Sequence, residues 1–590
     1  MAAILKLILL GFVCFTGLII RPCLAGDPTV TYNFVYSFKN LSPLGVSQQV
    51  IVVNDQFPGP IVEAVTNNNL VIDVKNKLDE DLLVNWNGIQ MRDNPWQDGV
   101  SATNCPIPPK GNFTYQFQVK DQIGSFFYHP STHFQRASGG FGPFKIDNRS
   151  VIPLPFPKPD GDIVLMIGDW YTRDYKELRE VLKAGKDLGI PDGVLINGKG
   201  PYQYNTTLVP GGIEYENIPV EPGKTYRLRV HNIGISTSLN FRIQNHILKL
   251  VETEGYYTTQ TNYSNFDIHV GQSYSFLVTM DQNASSDYYI VASARFQNES
   301  QWERVTGVGI LHYSNSQGQA AGPLPDPPND FYDKTWSMNQ ARSIRQNGSA
   351  SGARPNPQGS FHYGTINVTQ TYIFQSLPPT VIDGKKYGAT LNGISFLKPV
   401  TPILLADLKD LKGDYKLDFP SKPLTGHHRL DHSIINGTFK GFAEIIFQNN
   451  DTVMQTFHVD GFSFYVVGMD YGVWTEDRRG SYNNWDAIYR CTVQVYPGAW
   501  TAVLIYLDNP GTWNIRTENL DRWYLGQETY IKLVNHEDKG TLFAPPDNVR
   551  YCGALASLQT KENRAPSING NMKLAVIMLV VVLVALVDLH

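Results

Sequence analysis

The sequence predicts an all-β protein of three consecutive β-sandwich domains, and three observations predict it. Short apolar or alternating stretches closed by turn residues recur from end to end, two Pro-rich breaks divide the chain, and long helical patterns are scarce. Before the first break lie SQQVIVVNDQFPGPIV, NLVIDVKNKL and FTYQFQV; between the breaks lie KTYRLRVHNIG, SYSFLVTMDQ and DYYIVASARF; after the second comes AEIIFQNND. Stretches of that length and spacing make sandwiches or barrels. The 590 residues exceed what one core organises, so two to four domains are expected.

The breaks are VIPLPFPKPDGD near 151–162 and GPLPDPPND near 322–330, and the polar stretch RQNGSASGARPNPQGS follows the second. They divide the chain into domains at 26–157, 158–330 and 361–555, with a linker at 331–360. No short-period repeat is visible, which argues against a propeller or solenoid. One helix is predicted, in DYKELREVLKAGKDLG, where Leu178, Val181 and Leu182 fall at helical spacing before Gly185. The segment GVLINGKGPYQYN at 193–205 reads as a strand and turn, with no nucleotide-binding strand and helix around its glycines.

Both ends carry targeting signals. Residues 1–25 place Lys6 ahead of an apolar run closing on small residues, the order of a secretory signal peptide cleaved after Ala25; the alternative is an uncleaved anchor. At 556–590 a polar spacer precedes an unbroken apolar run from Leu574 to Val587, too short to cross a bilayer comfortably. That order predicts a glycosylphosphatidylinositol (GPI) anchor, attached at Asn563 by spacer length or Ser567 by small size, over a short membrane span or a discarded tail. The protein is therefore expected on the outer face of the plasma membrane or in the wall space.

Loss of the signal leaves Cys105, Cys491 and Cys552, an odd number that predicts one disulfide and one remaining thiol. Asn-x-Ser/Thr sequons begin at Asn40, Asn112, Asn148, Asn205, Asn262, Asn283, Asn298, Asn347, Asn367, Asn436 and Asn450, which with a signal peptide predict a glycan-coated surface. Net charge is −5, charged residues make up 17%, and no basic cluster is long enough to track phosphates, so nucleic acid is not an expected partner.

The motifs FPGP at 57–60, NWNG at 85–88, WQDG at 96–99, GSFFYHPS at 124–131, SGGFGPF at 138–144 and NPGTWN at 509–514 span nearly the whole mature chain. Their order resembles the laccase and ascorbate oxidase family of multicopper oxidases, and more narrowly the plant monocopper oxidase-like group, also called skewed-growth proteins. The resemblance implies three cupredoxin-like Greek-key domains and a Cys105–Cys552 disulfide, leaving Cys491 unpaired.

Active members of that family hold one blue copper and a trinuclear cluster with ten histidines and one cysteine in four segments. His-x-His pairs on strands aim both rings at one face, and the thiolate belongs to the blue site. Here the first pair is Asn85 and Asn87. In the second segment His129 remains but Ser131 replaces its partner. In the third, Gln455 replaces a histidine, His458 remains, and Asp460 takes the next position. The fourth carries Arg516, Thr517 and Glu518 for the His-Cys-His triplet, Arg522 for the last histidine and Gln527 for the axial ligand. A threonine hydroxyl cannot supply the soft thiolate, so this pattern implies no four-electron reduction of oxygen.

Charge predicts what replaces the metals: Arg516 and Arg522 supply cations, Asp460 and Glu518 anions, in a network between segments. His129 and His458 read either as hydrogen-bonded core histidines or as ligands of one weakly held copper, with His133, Asp460 and Glu518 nearby. Trp86, Trp96 and Trp513 read as core or interface aromatics, or as lining of a ligand groove. Three functions follow from the resemblance and the missing ligands: a surface glycoprotein acting in wall expansion and directional growth; a mononuclear copper oxidoreductase on a wall phenolic, ascorbate or iron; or a module binding wall polysaccharide, a peptide or another surface protein.

Overall fold

The computed structural model describes residues 27–204, 215–296, 302, 305–328, 333–348, 366–384, 386–536 and 544–559. The predicted signal peptide, Asn205, Asn298, the second half of the linker, and both candidate anchor residues lie outside the described residues.

Each stretch singled out above pairs as a strand, and the strands assemble into six sheets, two per domain. In the first domain, the sheet containing Thr29–Leu41, Asn69–Asn76 and Asn112–Gln118 packs on the one containing Val84–Asn87, Gly124–Pro130 and Gly142–Asp147. Period-two alternation decides the facing. Leu70, Ile72 and Val74 point inward with Phe34 and Tyr115, and meet Trp86, Tyr128 and Phe144 from the other sheet.

One pairing repeats in all three domains without any sequence repeat. The opening strand lies parallel to a later strand: Thr29–Leu41 beside Asn69–Asn76, Gly161–Trp170 beside Thr225–Asn232, and Val368–Ile382 beside Phe442–Asn449. Parallel neighbours cannot be joined by a hairpin, so the chain must cross between sheets before returning, which is the Greek-key path. The result is three consecutive Greek-key sandwiches, the cupredoxin-like arrangement that the resemblance implies.

Gly124–Pro130, Gln455–Val459 and Gly511–Thr517, strands of the first and third domains, are buried at every residue because neighbouring domains cover them; over Gly124–Pro130 that cover is the second domain, where Ser125 Oγ lies 3.0 Å from Ser275 Oγ. One apolar cluster runs through both of those domains, from Phe34 and Trp86 to Trp513 and Trp523, while the second domain keeps a core of its own. Trp86, Trp96 and Trp513 are all buried. A disulfide joins Cys105 to Cys552 across 447 residues and ties segment 544–559 onto the first domain, where the Asn548 amide donates to the Thr114 carbonyl at 2.8 Å.

The predicted helix forms as Tyr175–Lys183, capped by the Asp174 carboxylate, with Leu178 and Leu182 buried. A helix at Lys334–Ser343 was not predicted: it begins what reads as linker, and it is polar. It is held as a wedge between the second and third domains. Asp333 caps it, Met338 is buried, Gln340 donates to the Asn265 carbonyl at 3.1 Å, and Arg342 donates to the Met469 carbonyl at 2.6 Å. Among the described residues no helix is long and apolar enough to cross a membrane.

Candidate functional site: a buried network of charges between the first and third domains

Strand register assembles the site. Val84–Asn87 pairs with Gly124–Pro130 so that Asn85 lies opposite His129, and Gln455–Val459 pairs with Gly511–Thr517 so that His458 lies opposite Arg516. The interface between the first and third domains then brings the two pairs together.

Arg516 is the hub. Its guanidinium donates to Asp460, to Glu518 Oε1 at 3.1 Å, to Asn85 Oδ1 at 3.1 Å and to Asn514 Oδ1 at 3.2 Å. Its flat face lies 4.7 Å from the Trp523 ring centroid. Glu518 also accepts from Asn87 Nδ2 at 3.0 Å and from Arg136 at 2.9 Å. Arg136 further donates to the Glu518 carbonyl at 2.6 Å, and so bridges the first domain to the third. All of these side chains are buried.

Burial alone pushes the Glu518 carboxyl up, but Arg516 and Arg136 more than reverse this and hold it well below the usual carboxylate range. Asp460 shows the same balance: burial raises it, and Arg516 with His458 brings it below its ordinary value. Asp98 goes the other way. Burial and the neighbouring Asp460 push it well above the carboxylate range, and Arg516 offsets only part of that. Two guanidinium cations therefore face two carboxylates, and burial disfavours the charged form of a third carboxyl.

The two histidines join this network differently. His129 Nδ1 lies 2.9 Å from the Pro130 carbonyl, which can only accept, so Nδ1 carries the proton and Nε2 presents a lone pair with no partner. Burial and then Arg136 bring its pKa down to about 3. His458 is held by Thr492 Oγ1 at 2.8 Å, and its Nε2 lies 3.1 Å from Asp460 Oδ1. His133 does not join them. It is exposed, and the charges that face it are Glu80, Arg179, Lys398 and Asp81.

Arg522 also departs from expectation. It pairs with Asp451 at 2.8 Å and Asp521 at 2.6 Å, forming a second network rather than sharing Asp460 and Glu518. Gln455 donates to the same Asp451 oxygen at 3.0 Å. Thr517 Oγ1 accepts from the Asn519 backbone at 3.3 Å, Gln527 donates to the Thr390 carbonyl at 3.2 Å, and Ser131 donates to the Gly99 carbonyl at 2.5 Å. Arg136, Asp98 and Asp451 are the members sequence reading missed. The only signal for Arg136 was its place seven residues after His129 in the HFQRASGG run.

These donors do not fit a copper cluster. A blue site needs a thiolate with imidazoles, and Gln455, Thr517, Arg522 and Gln527 offer none. Cys491 gives no substitute: it is buried against Glu254 at 3.3 Å, and burial followed by that carboxylate pushes its thiol well up. At the inner site guanidinium groups fill the space between the carboxylates. Among the described residues no group of three or more His, Cys, Asp or Glu is placed to hold a metal ion.

Family models described as multicopper oxidase match residues 36–151, 161–316 and 401–539. The chain is 64% identical to monocopper oxidase-like protein SKS1 of Arabidopsis thaliana over 98% of each chain. It is 66% identical to monocopper oxidase-like protein SKU5 of the same plant, over 92% of this chain and 93% of that one. An L-ascorbate oxidase homolog of Brassica napus is 44% identical, over 90% and 94%. Among solved structures, the multicopper oxidase Fet3p, described as functioning in iron import, aligns with a TM-score of 0.73 at 19% identity over 90% of this chain and 98% of its own, which speaks for the fold alone.

Proposed function

The chain belongs to the multicopper oxidase family, alongside its monocopper oxidase-like members, and from that premise we propose that it is a cell-surface glycoprotein that has exchanged the family's copper sites for buried ion pairs and acts in cell wall expansion and directional growth. The observation that carries this reading is Arg516, a permanent cation paired with Asp460 and Glu518 at the positions where the resemblance places metal ligands. A cation fixed there repels another cation, and Thr517 supplies no thiolate for an electron path. Such a chain works by binding rather than by oxidation. The growth role rests on the resemblance to the skewed-growth group.

The surface location is supported by the leader, the tail and the sequons. Among the described residues Asn40, Asn112, Asn262, Asn283, Asn367, Asn436 and Asn450 are exposed, while Asn148 and Asn347 are half-buried. Release of the protein from membranes by a phosphatidylinositol-specific phospholipase tests the anchor.

One observation favours a second reading. The unpartnered lone pair of His129 Nε2 is a competent metal donor, and with His458 it makes a mononuclear copper oxidoreductase chemically conceivable. Metal analysis by mass spectrometry, with electron paramagnetic resonance, on the secreted chain after copper loading and chelation separates the two. The proposed function predicts far less than one copper per chain. One tightly held copper, lost in a His129→Ala and His458→Ala double variant, would establish the oxidoreductase instead.

A further inference from the structure

Beside the buried network a cleft of about 640 Å³ opens between the first and third domains. Ser131 of the first domain and Trp523 of the third are among its lining, and Trp523 stacks on Arg516 of the network. Three features of its lining bear on its ligand.

First, Lys386 and Lys398 both line the cleft, both are exposed, and neither has a carboxylate partner among the described residues. Lys398 reaches across the seam to Ser101 Oγ at 3.3 Å. Burial, and then the charge of Lys398, bring the Lys386 amine below its ordinary value. An anion beside them would relieve that repulsion. The third lysine of the lining, Lys183, is already paired with Glu180 at 2.7 Å, and Asp81 in the lining is half-buried.

Second, Glu528 is buried in the lining with one carboxylate oxygen fully used and the other without a partner. Its Oε2 accepts from Asn514 at 2.8 Å, Trp523 Nε1 at 2.9 Å and the Tyr530 hydroxyl at 3.2 Å, while Oε1 accepts from nothing. Oε1 has almost no accessible surface, so this carboxylate lies beneath the wall and a ligand in the cleft meets the two lysines instead. Third, Tyr387 and Tyr524, both half-buried, offer ring surface along the walls. The lip is built from two successive left-handed residues, His133 at φ 54° and Phe134 at φ 70°, a conformation that costs about 1–2 kcal/mol per residue and so is maintained by its surroundings.

We propose that this cleft binds an acidic oligosaccharide of uronate units, with ring carboxylates at Lys386 and Lys398 and the ring faces on the tyrosines. Inorganic anions match the lysines but bring no ring to the tyrosines, and a poly-glutamate chain brings carboxylates without sugar ring faces. The proposal rests on the reading that the chain works by binding, yet the two fail separately, because copper content and sugar affinity are measured independently.

The test is titration calorimetry of the intact secreted protein with short galacturonate oligomers, neutral cello-oligosaccharides, a poly-glutamate peptide and sulfate. The expected result is binding of the galacturonate oligomer alone, weakened at least tenfold in a Lys386→Glu and Lys398→Glu double variant with an unchanged melting curve, and weakened by added salt. Absence of binding, equal binding of the neutral oligomer, sulfate or the peptide, or full affinity in the double variant would overturn it. A Tyr387→Ala variant gives a second reading of the same site, with a severalfold loss expected for the oligomer.

Discussion

Replacing Arg516 by alanine removes the donor to Asp460, Glu518, Asn85 and Asn514 in one step, together with the cation stacked on Trp523. The consequences are unequal. Glu518 keeps Arg136 and Asn87, whereas Asp460 keeps only His458 beside it. Most of the penalty therefore falls on Asp460. Stranding a buried charge costs about 3–5 kcal/mol. For a unit the size of the third domain that corresponds to a fall of roughly 6–20 °C in its melting transition. Differential scanning calorimetry measures it directly. Both carboxylates are held below their ordinary values, so the stability they contribute is present at neutral pH and lost as pH falls through their folded-state range. The deficit of Arg516→Ala should accordingly narrow between pH 7 and pH 3, where the stranded carboxyl takes up a proton. An Arg516→Met and Asp460→Asn double variant, which removes both charges, should melt above the single variant. A single variant that melts with the parent, or a double variant no more stable than the single one, would refute the reasoning.

Three further outcomes follow from the same structure. His129, His231 and His269 are each brought down to about 3, chiefly by burial, so the unfolded chain binds protons that the folded one excludes. Each should cost about 1.4 kcal/mol of stability per pH unit below 6.5, and denaturant midpoints that stay flat between pH 6.5 and 5 would contradict this. Cys105→Ser opens a loop of 447 residues and should cost up to about 5 kcal/mol, read as a lower melting temperature that reducing agent reproduces in the parent. Peptide mapping after deglycosylation should find glycans at the exposed sequons and none at Asn148, whose amide faces the Tyr257 hydroxyl at 3.5 Å; an occupied Asn148 would show that this contact opens before folding is complete.

The strands were legible because a half-buried strand writes its facing into every second residue, as Leu70, Ile72 and Val74 do. The helix at Tyr175–Lys183 was legible for the same reason at a different period. The helix at Lys334–Ser343 was not, since it buries few apolar side chains and is fixed by hydrogen bonds to two other domains, which leave no periodic mark. The meeting of Arg516 with Asp460 and Glu518 could be anticipated because all three stand at positions the resemblance already places together. Arg136 could not, because it belongs to no ligand segment and owes its role to a cross-domain approach. Arg522 was assigned the wrong carboxylates for a related reason: Asp451, its actual partner, lies on a turn, and only the fold brings it within 2.8 Å.

The disulfide between Cys105 and Cys552 has a consequence for orientation. Cys552 lines the cleft, so the chain's last described segment is pinned at the same seam that opens to the ligand. From Gln559 to the proposed lipid attachment at Asn563 or Ser567 there are at most eight residues, which span less than about 30 Å even when fully extended. With the anchor attached as proposed, a leash that short would keep the seam turned toward the bilayer and limit how far the molecule can tumble. A polymer lying in the cleft would then be held against the cell surface, within a shallow gap whose floor is the membrane itself.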